Sequence, residues 1–488
     1  MRFYFTLLTA FSLSVSAAFT QPLALLRQNP HYFQYQNKPF LIVGSGEHYG
    51  AIINLDFDYK TYLNTLHVDG LNTTRLFTGA YIEKLGDFGI RKNTLAPKVG
   101  RLILPWARSN EAGYALGGTK FDLSKWDDAY FARLRDFMTQ AQRQGIIVEA
   151  TLFSSYYGTG WPYSVFNPVN NVNQTDDIEP LQANTLQNGT LLRYQEAYVR
   201  KLVRELNAFP NLYFEIQNEP WADLKDTILT RNEYHILDNG KSDWRASLEV
   251  VSQKANEWQR RVASWIVNEE TKLPNRHLIS QNISNFRYPI VNPDSNVSVY
   301  TFHYALPEAV SDNYALNKVI GFNETGFAGQ ADATYRRQAW RFLMSGGGLF
   351  NHLDYSFAVG DENGQDLSYR GSGTPGGGSS ALRKQFAILK QYIEKLDLAR
   401  LQPDKSLVKA SPGAITYTLK NGSADWVVYA EPLAVAPFSI QLTLPKGGYR
   451  AEWMDVLTGK VIKAEPLAPN GKLTAPSVQD LVVRIRKM

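Results

Sequence analysis

The chain has 488 residues, 44% of them hydrophobic and 20% charged, with a formal net charge of +5 from 51 basic and 46 acidic side chains. That much apolar material can bury a sizeable core and excludes a mostly disordered chain. The thinly spread charge leaves no electrostatic footprint for nucleic acid, and the absence of cysteine excludes a disulfide framework, a catalytic thiol and a thiolate metal site.

Arg2, an apolar run over residues 3–15 and the small residues Ser16, Ala17 and Ala18 follow the order of a signal peptide. Residues 1–18 are therefore expected to be removed on export to the periplasm or the exterior. The run is too short to span a bilayer comfortably, and no other long uncharged apolar segment follows, so no membrane span is expected.

From Pro39 to Pro403, short β-branched or aromatic runs alternate with longer amphipathic stretches. Strands are predicted over residues 39–44, 72–78, 146–153, 212–217, 277–280, 297–302, 319–322 and 348–353. Helices are predicted over 59–68, 123–144, 191–206, 244–268 and 381–398. Repeated strand–helix units of this kind predict an α/β fold, a (β/α)8 TIM barrel over residues 19–403, rather than an open doubly wound sheet. Gly44-Ser45-Gly46 runs on into Glu47-His48 and not into a dinucleotide fingerprint, and no cofactor is expected. After Pro403 come short strands at 414–419, 425–429, 438–444, 449–455, 460–464 and 481–486, separated by turn signals such as Asn421-Gly422 and Asn470-Gly471. Residues 404–488 are thus predicted to form a small all-β sandwich.

Catalytic groups of a (β/α)8 barrel sit at the carboxyl ends of its strands. Glu219, in Ile216-Gln217-Asn218-Glu219-Pro220, ends predicted strand four, and Glu324, in Gly321-Phe322-Asn323-Glu324, ends strand seven. Either one alone reads as an exposed loop carboxylate. Two carboxyl groups facing each other across a barrel mouth are what glycoside cleavage needs, one as proton donor and the other to attack or to activate water. No His-Glu-x-x-His and no Gly-x-Ser-x-Gly occurs, so neither a metal site nor a serine hydrolase is expected.

At these residues the chain resembles the clan A glycoside hydrolases, and most closely the cellulase family, family 5, in strand order over residues 39–398. The resemblance implies a retaining double displacement in which Glu219 is the acid/base, Glu324 the nucleophile and Asn218 a ligand of the sugar 2-hydroxyl. It further implies that Arg75 keeps the nucleophile ionised, and that His303 and Tyr304 belong to the site, one of them bonding the nucleophile. The acid/base must stay protonated near neutral pH, and a nearby ionised carboxylate is expected to raise its pKa.

Glu47 and His48 close strand one and are expected to reach a terminal sugar. Trp161 and Trp221 are aromatic faces suited to stacking on sugar rings. Strand three ends in Phe153-Ser154-Ser155 and strand eight in His352-Leu353-Asp354, where the family offers a His and a Trp, so Asp354 stands at a substrate position and the sugar specificity departs from the family's. The expected partner is a β-linked glycan. The sequence favours an endo-acting β-glycanase over an exo-acting β-glycosidase or an inactive glycan-binding barrel.

Overall fold

A computed structural model describes residues 21–229 and 244–488; the expected signal peptide lies outside the described residues. Eight apolar runs form parallel strands, β1 (Ile42–Gly46), β2 (Thr73–Phe77), β3 (Ile147–Ser154), β4 (Leu212–Asn218), β5 (Ile279–Asn285), β6 (Val299–His303), β7 (Val319–Glu324) and β8 (Leu349–Leu353). They are hydrogen-bonded in the order β1-β8-β7-β6-β5-β4-β3-β2. Every residue of these strands is buried, as in a parallel sheet covered on both faces. Between β1 and β2 a side chain completes the barrel. The Val43 N–H donates to Asn72 Oδ1 at 2.9 Å, and Asn72 Nδ2 donates to the Leu41 carbonyl at 2.8 Å.

Three of the barrel helices start where a side chain caps them. Asp58 accepts from the N–H groups of Lys60 and Thr61 ahead of Tyr59–Val68, and Asp127 accepts from Tyr130 ahead of Asp128–Arg143. Ser252 accepts from Ala255 ahead of Gln253–Glu270. Those caps account for two corrections to the predicted helices. Residues 123–126 belong to a strand, Thr119–Trp126, paired with Trp106–Ala112. Residues 247–251 form the strand Ser247–Val251, which pairs with Lys225–Leu229 and, through Val250, with Ser284 of β5. That hairpin is an insertion after β4 and leans over the barrel mouth.

The predicted first strand also divides. Lys38–Phe40 joins Ala24–Leu25 and Phe33–Tyr35 in a small antiparallel sheet, and β1 begins only at Ile42. Phe33 and Tyr35 of that sheet pack on Ile147, Tyr213, Val299 and Val319 at the starts of barrel strands, so the sheet covers the end of the barrel opposite the site.

C-terminally, a six-stranded antiparallel sheet faces a three-stranded one. Their shared core contains Trp426, Val428, Phe438, Ile440 and Trp453. The larger sheet turns its other face to the barrel helix Asp332–Met344. Trp340 stacks on Tyr429, with centroids 5.3 Å apart, Arg336 forks onto Asp480, and Arg341 donates to Glu431 at 2.6 Å. This seam makes the sandwich a buttress of the barrel wall that carries β7.

Candidate active site

Glu219 and Glu324 meet at the carboxyl end of the barrel, and one oxygen of each lies within 4.8 Å of the other and of a His303 nitrogen. Three donors reach Glu219. His303 Nδ1 lies 2.7 Å from Oε1, the Tyr304 hydroxyl 3.1 Å from the same oxygen, and the Tyr157 hydroxyl 2.9 Å from Oε2. Glu324 receives Tyr49 and Arg75 Nη1 on Oε2, each at 2.9 Å, and the Tyr304 hydroxyl on Oε1 at 3.2 Å. The sequence left open whether His303 or Tyr304 bonds the nucleophile. Tyr304 stands between the two carboxylates with one proton to offer, while His303 lies against Glu219 and is 3.6 Å from Glu324.

Backbone geometry sets this arrangement. Glu219 follows β4 in the left-handed region (φ +44°), with its N–H donating to Asn282 and its carbonyl accepting from Ser155. Tyr49, Tyr157, Tyr304 and Phe327 also have φ between +52° and +58° and line the same cavity. Non-glycine residues rarely adopt that conformation, and clusters of them mark functional sites, where the surroundings fix an otherwise unfavourable backbone.

Beneath Glu324, Arg75, which the sequence singled out, is held by a layer of partners that sequence reasoning missed. Arg75 is fully buried, forks onto Glu215 with both bonds at 2.8 Å, and places Nη2 2.6 Å from Asn218 Oδ1. The guanidinium carbon lies 4.7 Å from the Tyr49 ring centroid and 5.3 Å from that of Phe77. Glu215 also accepts from Thr151, Asn282 and Asn323. Glu149 lies 3.9 Å from Arg75, and burial together with the Glu215 charge pushes its carboxyl up to about 8. The available signal was charge on the inward face of an apolar strand, Glu149 in IVEATLFS and Glu215 in LYFEIQN.

Glu149 gives a stability prediction. With a folded pKa near 8 against an ordinary 4.5, the native state binds the extra proton between those values, so this group's contribution falls as pH rises through that window. The melting temperature of Glu149→Gln minus that of the wild type should therefore increase between pH 5 and pH 8.5. A difference that shrinks over the same range would refute the assignment.

Burial pushes Glu219 up, but the hydrogen bonds from His303, Tyr157 and Tyr304, with the electrostatic attraction of His303, outweigh it and hold the carboxyl below the ordinary range. The expected upward shift is thus reversed, because three donors point at a group that the sequence placed only beside another carboxylate. Glu219, His303 and Glu324 are also the one group of metal-competent side chains among the described residues. Each carboxylate oxygen there already accepts from a hydroxyl, an imidazole or a guanidinium, which is the donor set of a bare carboxylate pair.

The cavity over the carboxylates measures about 340 Å³, and Asn218, His48 and Trp221 are among the residues that line it. Glu47, Trp161 and Asp354 stand outside that lining. Glu47 accepts from the N–H groups of Gly50 and Ala51, and burial pushes its carboxyl up to about 7. Trp161 packs edge-on against Tyr156. Asp354 accepts from Ser45 and Arg383 and ties the end of β8 to the helix Ser380–Glu394. A backbone turn for Glu47, a neighbouring ring for Trp161 and a helix for Asp354 supply the partner that a sugar was expected to supply.

No protein-family model matches the chain, and no curated protein matches it. Solved structures do match its fold. A candidate glycoside hydrolase from Bacteroides vulgatus ATCC 8482 superposes with a TM-score of 0.65 at 13% identity, over 96% of this chain and 83% of that one. A glycoside hydrolase family 5 structure from the same organism gives 0.62 at 13%, over 96% and 92%. A further glycoside hydrolase gives 0.61 at 12%, over 96% and 97%. At such identities the likeness establishes the architecture, a (β/α)8 barrel followed by a β-sandwich, which glycoside hydrolases share over nearly the whole chain.

Proposed function

We propose that the protein is a retaining glycoside hydrolase acting on β-linked glycans, with Glu324 as nucleophile and Glu219 as acid/base. The observation that carries this reading is the close carboxylate pair, with oxygens within 4.8 Å at the ends of β4 and β7. Retaining enzymes hold their carboxyl groups about 5–5.5 Å apart, whereas inverting ones leave about 6.5–9.5 Å for a water. The two carboxylates are also supported differently. Arg75 stabilises the charge on Glu324, as attack at the anomeric carbon requires. Glu219 is joined instead to an imidazole, and the Glu219–His303 pair shares one short hydrogen bond, Nδ1 to Oε1 at 2.7 Å. A proton residing on that pair is available to the leaving oxygen whether it rests on Oε1 or Nδ1. Once the leaving group departs, the same carboxylate takes a proton from the water that hydrolyses the glycosyl–Glu324 ester.

The cavity's size favours a second reading within this class, exo action. About 340 Å³ is at the small end for ligand sites, and Phe88, Trp244, Phe327 and Pro375 wall it from four loops. The test is product analysis on β-linked glucans, mannans, xylans and galactans, with Glu324→Ala as control. Monosaccharide release by the wild type alone supports the exo form, and oligosaccharides alone the endo form. Equal products from both proteins would exclude Glu324 as nucleophile. Export is proposed from residues 1–18, and N-terminal sequencing of the secreted chain should begin at Ala18 or Phe19.

A further inference from the structure

One part of the cavity wall serves neither carboxylate. His48 follows β1, Glu83 lies on the loop after β2, and both side chains line the cavity although each is at least nine-tenths buried. His48 Nε2 is 2.9 Å from Glu83 Oε2, and Asn93 Nδ2 donates to the same oxygen at 2.5 Å. The rest of the loop fixes this group. The Leu95 N–H donates to Asn93 Oδ1 and the Thr94 hydroxyl to the His48 carbonyl. Gly50 permits the approach, since a Cβ there would lie 2.2 Å from the Thr94 backbone. Burial pushes the His48 imidazole down, but the Glu83 carboxylate beside it, together with the charges of Glu324 and Glu47, outweighs burial and lifts it above the ordinary value. His48 Nδ1 is nevertheless buried with no hydrogen-bond partner. Buried polar atoms are nearly always paired, so an orphan in a cavity wall calls for a ligand group.

Position gives the ligand's orientation. Oε2 of Glu324 faces Tyr49, the neighbour of His48, while Oε1 faces Tyr304 and the Glu219 side. His48 and Glu83 therefore lie across the nucleophile from the proton donor, where the sugar that forms the covalent ester would sit. Charge gives the ligand's class. The lining carries Glu83, Glu219, Glu249 and Glu324 against His48 and Lys225, which disfavours an anionic ring.

Resting on the glycosidase reading above, we infer that His48 and Glu83, braced by Asn93, form the recognition site for the hydroxyl groups of an uncharged, non-reducing terminal sugar. Glu83 accepts from sugar hydroxyls and His48 donates to one, and because a ring whose hydroxyls are held in this way carries no further sugar on them, cleavage proceeds from chain ends.

The experiment is titration calorimetry of the full mature chain with neutral monosaccharides, their uronic acids and their singly deoxygenated analogues. Expected is binding of a neutral sugar, with its uronic acid about tenfold weaker or worse. Glu83→Gln and His48→Gln should each weaken binding by about 10- to 100-fold, the range for hydrogen bonds to charged groups. One deoxy sugar should bind the wild type equally poorly but lose little more in Glu83→Gln, the non-additivity of a shared contact. The deoxy series needs no variant, so a misfolded mutant does not spoil the test. The inference is overturned if no monosaccharide binds, if uronic acids bind more tightly, or if Glu83→Gln binds within about threefold of wild type. Turnover separates the two readings. Glu83-dependent binding without any Glu324-dependent hydrolysis removes the glycosidase and leaves this site, whereas the converse removes this site alone.

Discussion

Replacing Glu324 with alanine is expected to lower kcat/KM for glycoside hydrolysis by on the order of 10⁵-fold, the scale of losing a covalent nucleophile. The fold should survive, because Glu324 is partly open to the cavity and Arg75 keeps its fork onto Glu215. Azide distinguishes the two carboxylates. In Glu324→Ala it can occupy the vacated space beside Arg75 and displace the leaving group directly, giving an inverted, α-configured glycosyl azide. In Glu219→Ala the glycosyl ester on Glu324 still forms, and azide attacks it from the opposite face to give the β product. The loss in Glu219→Ala should also be smaller, about 10²- to 10⁴-fold, and should nearly vanish for leaving groups that need no protonation. Product configuration by proton NMR checks both assignments, and exchanged configurations would exchange the roles.

Arg75→Met should destabilise the protein by about 3–5 kcal/mol, the cost of removing one partner from a buried ion pair. Arg75 and Glu215 are both fully buried, and Glu215 keeps only neutral donors, Thr151, Asn282 and Asn323, once the guanidinium is gone. Arg75→Lys should not rescue it, since an ammonium cannot reproduce the two-point fork onto Glu215 while also reaching Glu324. Arg75→Met combined with Glu215→Leu should recover much of the stability and none of the activity, because Glu324 remains without its cation. Urea denaturation measures the first effect and single-turnover kinetics the second. An Arg75→Met protein within about 1 kcal/mol of wild type would contradict the buried-network account.

The barrel was legible because fully buried parallel strands appear as continuous apolar runs, and each ends in a polar break. Asn218-Glu219-Pro220 and Asn323-Glu324 are such breaks, so the sequence located both carboxylates at strand ends. Arg75 stood out as a cation among apolar neighbours. What lay out of reach was partnership across the barrel. Glu149 stands opposite Arg75 on the neighbouring strand and Glu215 lies one strand further round, but both are distant in sequence from the arginine they serve, and no local pattern links them to residue 75. Glu83 meets His48 only because Gly50 lets two loops touch. The hairpin strand Ser247–Val251 was missed because its apolar residues fit a helical face as well as a strand, although Ser252 marked the true helix start. Asp354 and Trp161 show the reverse error. Position at a strand end or in an aromatic loop suggests substrate contact, but Arg383 and Tyr156 had already satisfied them.

The central claim is that Glu324 becomes covalently attached to the sugar. A 2-fluoro substituent slows both steps, and a reactive leaving group restores only the first, so activated 2-deoxy-2-fluoro β-glycosides of neutral sugars should arrest the enzyme as its ester. Intact-mass spectrometry should show the addition of one fluorosugar, and proteolysis should map it to the peptide carrying Glu324, with no adduct in Glu324→Ala. An adduct on Glu219, or none with a glycoside whose parent sugar the enzyme hydrolyses, would contradict the account.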